Sequence, residues 1–481
     1  MNGQQQTAPT SRRDFLSIGA GLAAAGAAAS LGGGEAEAQG VDELTRLRQA
    51  HRILIKGAII LSMDPAVGDF ANADLLIENS KIRAIRPNIT AGDAFVIQGR
   101  DRIVIPGFVD THSHSYQGLL RSALPSGVVD PDYNRDVQTL LTPHFQPEDV
   151  HAGVLITALA LIDMGTTGVV DISQSNHTPE HSDALVQALK DSGIRAVCAY
   201  SRGIGDKADY PGGVLKFRDK HFSATDQLLT VALATSVDPK TFVFAREHGL
   251  RSVLHIRVNS APLIAIGKAG LMQPGDEYIH CTHLTEEAWQ LIKQSGGRTS
   301  HSPPLEMAMA HGFPAIQDAL DHGLQPSLSC DHAATVASDM FGIMRTVFDL
   351  QRLGILQRIR KKETDVPPLL TPKQVLAFAT IEGARTAALE RKVGSLAPGK
   401  EADLLLLRAD RLDVWPHNNA YGTVTSLMNP SHVDAVFIAG KVKKWRGTLV
   451  GVDQARVRKL VQESRDAVMK RAGFKVDLLG A

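Results

Sequence analysis

Two histidines one residue apart, His112 and His114, follow an apolar stretch and a Pro106-Gly107 turn. Side chains alternate along a strand, so the two imidazoles point the same way. Two imidazoles at a strand end can bind one metal ion. Three more residues with the right chemistry stand at or just past the ends of short apolar runs. His255 ends Ser252-Val253-Leu254, His280 lies in Tyr278–Cys281, and Asp331 follows Leu328-Ser329-Cys330. Taken singly, each has a plain reading: an Asp after a strand caps a turn, and a lone His is a partly buried, hydrogen-bonded side chain.

The elements that must carry them alternate regularly. Candidate strands at Phe108–His112, Thr167–Ile172, Arg195–Tyr200, Leu229–Ala234, Ser252–Ile256, Tyr278–Cys281, Arg298–His301 and Pro326–Cys330 are separated by helical stretches such as Pro147–Met164 and Glu286–Ser295. Eight such repeats predict an α/β fold, a closed parallel (β/α)8 TIM barrel whose chemistry lies at the C-terminal strand ends. Thr371-Pro372-Lys373-Gln374 has the pattern of a capped helix start. β-rich stretches at 51–106 and 390–450 flank the barrel at 107–389 and are expected to join in a small composite β-sandwich. Residues 451–481 form a terminal helix and tail.

Lys+Arg and Asp+Glu both number 51, so no net basic charge supports a nucleic-acid partner. The expected partner is a small-molecule substrate; homo-oligomer formation is left open. The three cysteines, Cys198, Cys281 and Cys330, lack CxxC spacing and read as buried thiols.

Four segments in order resemble the amidohydrolase superfamily, in its cytosine-deaminase-like and chlorohydrolase-like branch. They are Pro106-Gly107-Phe108-Val109-Asp110-Thr111-His112-Ser113-His114, Gly165-Thr166-Thr167-Gly168-Val169-Val170-Asp171, His280-Cys281-Thr282-His283-Leu284 and Gly394-Ser395-Leu396-Ala397-Pro398-Gly399-Lys400-Glu401-Ala402-Asp403-Leu404. The resemblance implies a metal-dependent hydrolase of non-peptide carbon–nitrogen bonds in small cyclic or heterocyclic molecules. It implies His112, His114, His255 and Asp331 as metal ligands, with Asp331 also the general base. His280 would polarise substrate or orient water outside the ligand set. Three imidazoles and a carboxylate suit one divalent ion, Zn²⁺ or else Fe²⁺.

Two departures from the family pattern matter. The fourth candidate strand has no lysine to bridge two metals, which implies one ion. Deaminase-like members carry Glu three residues after the fifth-strand histidine, where this chain has Val258. Glu306, in the stretch after the seventh strand, is the candidate replacement catalytic acid, with a partner role for Arg345 as the alternative. Without the strand-borne Glu, a carbamate, ester or aryl-halide bond is a second reading. A non-catalytic exported binding relative is a third. His144, His177, His181, His301, His311 and His332 read as loop or supporting residues, with His177 a candidate for lining the pocket.

Arg12-Arg13 followed by a Gly/Ala-rich apolar run and Ala36-Glu37-Ala38 is the pattern of a twin-arginine signal over 1–38, cleaved after Ala38. The apolar run falls short of the ~20 strongly apolar residues that span a bilayer, so no stable membrane anchor is expected. Periplasmic or secreted protein should therefore begin near Gln39. Replacing Arg12 and Arg13 by lysine should leave the precursor in the cytoplasm. N-terminal sequencing checks this, and an exported protein still starting at Met1 would refute it.

Overall fold

The computed structural model describes residues 42–205, 208–224 and 226–479, so the twin-arginine segment lies outside the described residues. The chain divides between Ala50 and His51. Before that point a helix runs over 42–49, with Asp42 and Arg46 paired one turn apart at 3.1 Å. Everything below belongs to the second unit.

Eight strands form one parallel sheet in sequence order: β6 (Phe108–Ser113), β7 (Thr166–Ser173), β8 (Arg195–Tyr200), β9 (Leu229–Thr235), β10 (Ser252–Arg257), β11 (Glu277–Thr282), β12 (Arg298–His301) and β13 (Ser327–Leu328). β13 is much shorter than Pro326–Cys330, yet the chain beyond it closes the ring. Ser113 and Asp331 form a parallel bridge. The Asp331 N–H donates to the His112 carbonyl at 2.8 Å, and the His114 N–H donates to the Asp331 carbonyl at 2.9 Å. The result is the predicted (β/α)8 barrel.

Inside the barrel, Val109, Val170, Val197, Ala232, Val253 and Ile279 form one buried cluster, a residue from each of six successive strands. β-Branched and small side chains suit this position because they fill a tapering interior with few rotamers to lose. Nearer the seam, the Thr111 hydroxyl spans to Ser300 (2.7 Å), Ser327 (2.9 Å) and the Leu328 carbonyl (3.0 Å), tying β6 to β12 and β13.

The flanking segments share one hydrogen-bonded sheet. Its strands are β1 (Arg52–Ile60), β2 (Phe70–Glu78), β3 (Lys81–Arg86), β4 (Phe95–Gln98), β5 (Arg102–Pro106), β14 (Leu404–Arg408), β15 (Val433–Ile438), β16 (Lys441–Trp445) and β17 (Thr448–Leu449). The join is antiparallel pairing of β5 with β14, Ile105 opposite Leu405. The helix Pro372–Ala379 starts as expected, with Thr371 and Gln374 capping each other's backbone. A terminal helix covers Gln454–Ala472.

Arg195, at the start of β8, couples barrel to sheet. It is 1% exposed and pairs with both Asp403 oxygens at 2.9 and 3.0 Å and with Glu401 at 2.5 Å. Both acids lie in the Gly394–Leu404 segment, so that segment's charged end serves cohesion rather than chemistry. Removing one partner strands a buried charge. Arg195→Met should cost about 3–5 kcal/mol of stability while leaving metal binding intact, as read by denaturant unfolding and elemental analysis.

Candidate metal centre

β6 delivers His112 to the mouth of the barrel, His114 stands just past its end, β10 delivers His255, β11 delivers His280, and the turn after β13 delivers Asp331. His112 Nε2 stands 3.3 Å from His255 Nε2 and 3.2 Å from Asp331 Oδ1. His114 Nε2 is 3.6 Å from the same oxygen. A tetrahedral ion with ligand bonds of about 2.0–2.2 Å requires donors roughly 3.3–3.6 Å apart. The spacing fits that demand. His112, His114 and Asp331 form one convergent donor group, and His112, His255 and His280 form another, each within 4.8 Å.

Supporting contacts fix the rings. His114 Nδ1 donates to the Ile172 carbonyl at 2.8 Å, which leaves the Nε2 lone pair facing the cluster. Asp110 Oδ1 accepts from the backbone N–H of His112 (3.2 Å) and of Cys330 (3.0 Å), so one carboxylate holds both sides of the seam. Asp331 and His280 sit at left-handed φ values of 62° and 69°, a conformation that L-residues adopt at a cost and that concentrates at functional sites.

Burial lowers the proton affinity of every imidazole here. It takes His114 and His280 down to about 4 and pushes His112 and His255 below the ordinary histidine range. The rings are therefore neutral near pH 7 and present lone pairs. Burial alone would raise Asp331, but the neighbouring His112, His332 and His114 hold it well below the usual carboxylate range. Neutral imidazoles around one anion make a donor set for a divalent cation.

A cavity of about 330 Å³ opens over this cluster. Tyr133, Gln138, Gln174, Arg257, His311 and His332 contribute to its wall. His332 stacks on Tyr133 with ring centroids 4.9 Å apart, and His311 stands edge-on to His280 at 4.6 Å.

Several expectations need correction. Glu306 does not face the substrate. It lies on the short helix Pro303–Ala308, is fully buried and is absent from the cavity wall. Its Oε1 accepts from the Ser302 N–H at 2.8 Å and bonds His280 Nδ1 at 3.1 Å, which draws the side chain behind the imidazole. Nor does it pair with Arg345, which donates to the Met428 carbonyl at 2.6 Å. Burial pushes Glu306 up to about 7. Whichever partner holds the shared proton, the bond fixes the plane of the His280 ring. His280 Nε2 lies 3.6 Å from Asp331 Oδ2, and His280 belongs to one of the two convergent donor groups. His177 does not line the cavity; it donates to the Thr142 carbonyl and accepts from the Ile204 N–H, bracing a loop. The tyrosine, glutamines and arginine of the wall escaped sequence reading. One signal was present: Arg257 stands two residues after His255 and therefore shares its face.

The sequence pattern of the amidohydrolase family matches residues 103–253 and 267–443. A 5′-deoxyadenosine deaminase of Methanobrevibacter smithii is 26% identical over 448 residues, 86% of this chain and 98% of that protein. A 5-methylthioadenosine/S-adenosylhomocysteine deaminase of Moorella thermoacetica is 26% identical over 437 residues, 84% of this chain and 97% of that protein. Among solved structures, an adenosine deaminase from Xanthomonas campestris with bound zinc superposes with a TM-score of 0.76 at 22% identity, covering 87% of this chain and 98% of that one. The atrazine chlorohydrolase of Arthrobacter aurescens complexed with zinc gives 0.77 at 20% identity, over 86% of this chain and all of that one. At that identity the two structures speak for the fold.

The geometry separates ligand from support. His112→Ala should abolish tight binding of a divalent ion, whereas Glu306→Gln should retain it, because Glu306 reaches the centre only through His280. Elemental analysis after dialysis distinguishes them, and loss of the ion from Glu306→Gln would refute the assignment.

Proposed function

This chain belongs to the amidohydrolase family, and from that premise we propose a hydrolase with one divalent ion, zinc in preference to iron, that cleaves a non-peptide carbon–nitrogen bond in a small cyclic or heterocyclic molecule. The observation that carries the reading is the pair of convergent donor groups that share His112, one with His114 and Asp331 and one with His255 and His280, beneath a cavity. The deaminase names of the relatives and the zinc in the structural neighbours support the same choice. Stoichiometry of one is supported by β9, whose Leu229–Thr235 run contains no lysine. The leader at Arg12-Arg13 supports action outside the cytoplasm, in the periplasm or medium.

Bound there, the ion would supply Lewis acidity and bring the pKa of a water toward neutrality. The chain's own residues would do the rest. Asp331, held ionised, takes the proton of the attacking water. His280, locked in plane by Glu306, faces the reacting centre through Nε2 and orients the water or the polarised substrate atom. Among the described residues of the cavity wall, Asp331 is the sole carboxylate, so it must also return the proton to the leaving nitrogen.

Val258 favours a second reading. It occupies the position of the deaminase glutamate, is 63% exposed and cannot transfer a proton. Leaving groups that depart without protonation, such as carbamate, ester or aryl halide, would suit such a site.

A turnover screen of the metal-loaded mature chain across cyclic amides, heterocyclic amines, carbamates and aryl halides tests the reading. Asp331→Asn and His280→Ala should each lower kcat by roughly 10²-fold or more. His280→Ala should keep its ion, and its loss would place His280 among the ligands. Dialysed wild-type protein should hold one ion per chain; two tightly held ions would refute the mononuclear site.

A further inference from the structure

β10 ends in His255-Ile256-Arg257, and the alternation of a strand puts Arg257 on the His255 face. Both side chains reach the cavity wall. Among the described residues of that wall, Arg257 is the sole arginine or lysine and Asp331 the sole carboxylate. Asp331 is committed to the cation site. A substrate therefore meets a wall whose uncommitted charge is positive.

The guanidinium is only loosely engaged. Its contact is a 3.4 Å approach to Asp130, whose side chain is 63% exposed and also accepts from the Asn134 amide. A guanidinium carries five donors, so it can bind a planar oxyanion through two parallel hydrogen bonds. Nearby, Gln138 donates to the Gln174 carbonyl oxygen at 2.7 Å, which leaves the Gln174 amide nitrogen as a further donor on the wall. Past Arg257 the backbone turns into left-handed φ at Val258, 62°, and carries that apolar side chain out to solvent.

We propose that Arg257 determines specificity, and that the substrate carries a carboxylate which Arg257 grips while its scissile bond lies over the metal centre. The scissile bond rests on the hydrolase reading; the anion site does not. A monoanion is favoured because Asp130 already offsets part of the guanidinium charge.

Calorimetric titration of benzoate, benzamide and phenyl phosphate into the full mature chain, metal-loaded and metal-stripped, tests the proposal. Benzoate should bind about tenfold or more tighter than benzamide in both forms, the range for hydrogen bonds to a charged group. Arg257→Gln should erase the difference with metal content unchanged. Asp130→Asn should act in the opposite direction and tighten benzoate, a gain that an unfolded variant could not produce. Benzoate binding that survives Arg257→Gln, or that vanishes when the metal is stripped, would place the carboxylate on the ion and overturn the proposal. So would a preference for phenyl phosphate, or no binding of benzoate to the wild type. If no candidate substrate turns over but the benzoate preference persists, the hydrolase reading fails and the anion site stands. If neutral heterocycles turn over with kcat/KM unchanged in Arg257→Gln, the hydrolase reading stands and the anion site fails.

Discussion

A pair of backbone hydrogen bonds joins the two ends of the barrel: Asp331 N–H to the His112 carbonyl, and His114 N–H to the Asp331 carbonyl. The residues that close the ring are the same residues that converge as donors. Ring closure therefore sets the spacing of the donors, because Asp331 cannot move relative to His112 and His114 without breaking the seam. Asp110 reinforces this from below, accepting from the backbone on both sides. A ligand set built on strand backbone is held more tightly than one built on loops, and tight placement is what a metal site with sub-ångström tolerance requires.

Burial then does electrostatic work on this fixed frame. Removing water disfavours charge on each imidazole, so the histidines shed their protons near neutral pH. The same burial would protonate Asp331, but the imidazoles around it reverse the sign. The opposite outcome holds for Glu306, which lies one layer further back with a single backbone donor and one imidazole edge, and there burial wins. Two carboxylates on either side of His280 are thus driven apart in proton affinity, Asp331 toward the ionised form at the cavity and Glu306 toward the protonated form behind the ring that it orients.

Legibility in the sequence followed from how each residue is placed. His112, His114, His255, His280 and Asp331 sit on or beside strands, where period-two alternation and family motifs report both location and facing. The barrel strands were legible for the same reason, except that β13 keeps only Ser327–Leu328 as ladder before the chain turns to the Asp331 bridge. Tyr133 and Gln138 sit on a π-helix, Val129–Leu141, and Gln174 follows the end of β7; where these segments point is set by tertiary packing rather than local pattern. Position after the seventh strand does not report which way Glu306 points; the Ser302 N–H and the His280 ring draw its side chain inward.

The end of β10 carries the remaining argument. The family resemblance implies a proton-shuttling Glu three residues past the strand's histidine, and that position, Val258, is left-handed, apolar and turned to solvent. Glu306 cannot take over, since His280 stands between it and the cavity. A carboxylate behind an imidazole can orient that ring but cannot reach a leaving nitrogen on the far side. Asp331 is left as the sole acid of the wall, two hydrogen-bond lengths or less from each ring it serves. Whatever bond is broken must therefore have a leaving group that one carboxylate can satisfy, and binding energy must come from elsewhere on the substrate. Arg257, on the same strand face as His255, is where the chain offers it.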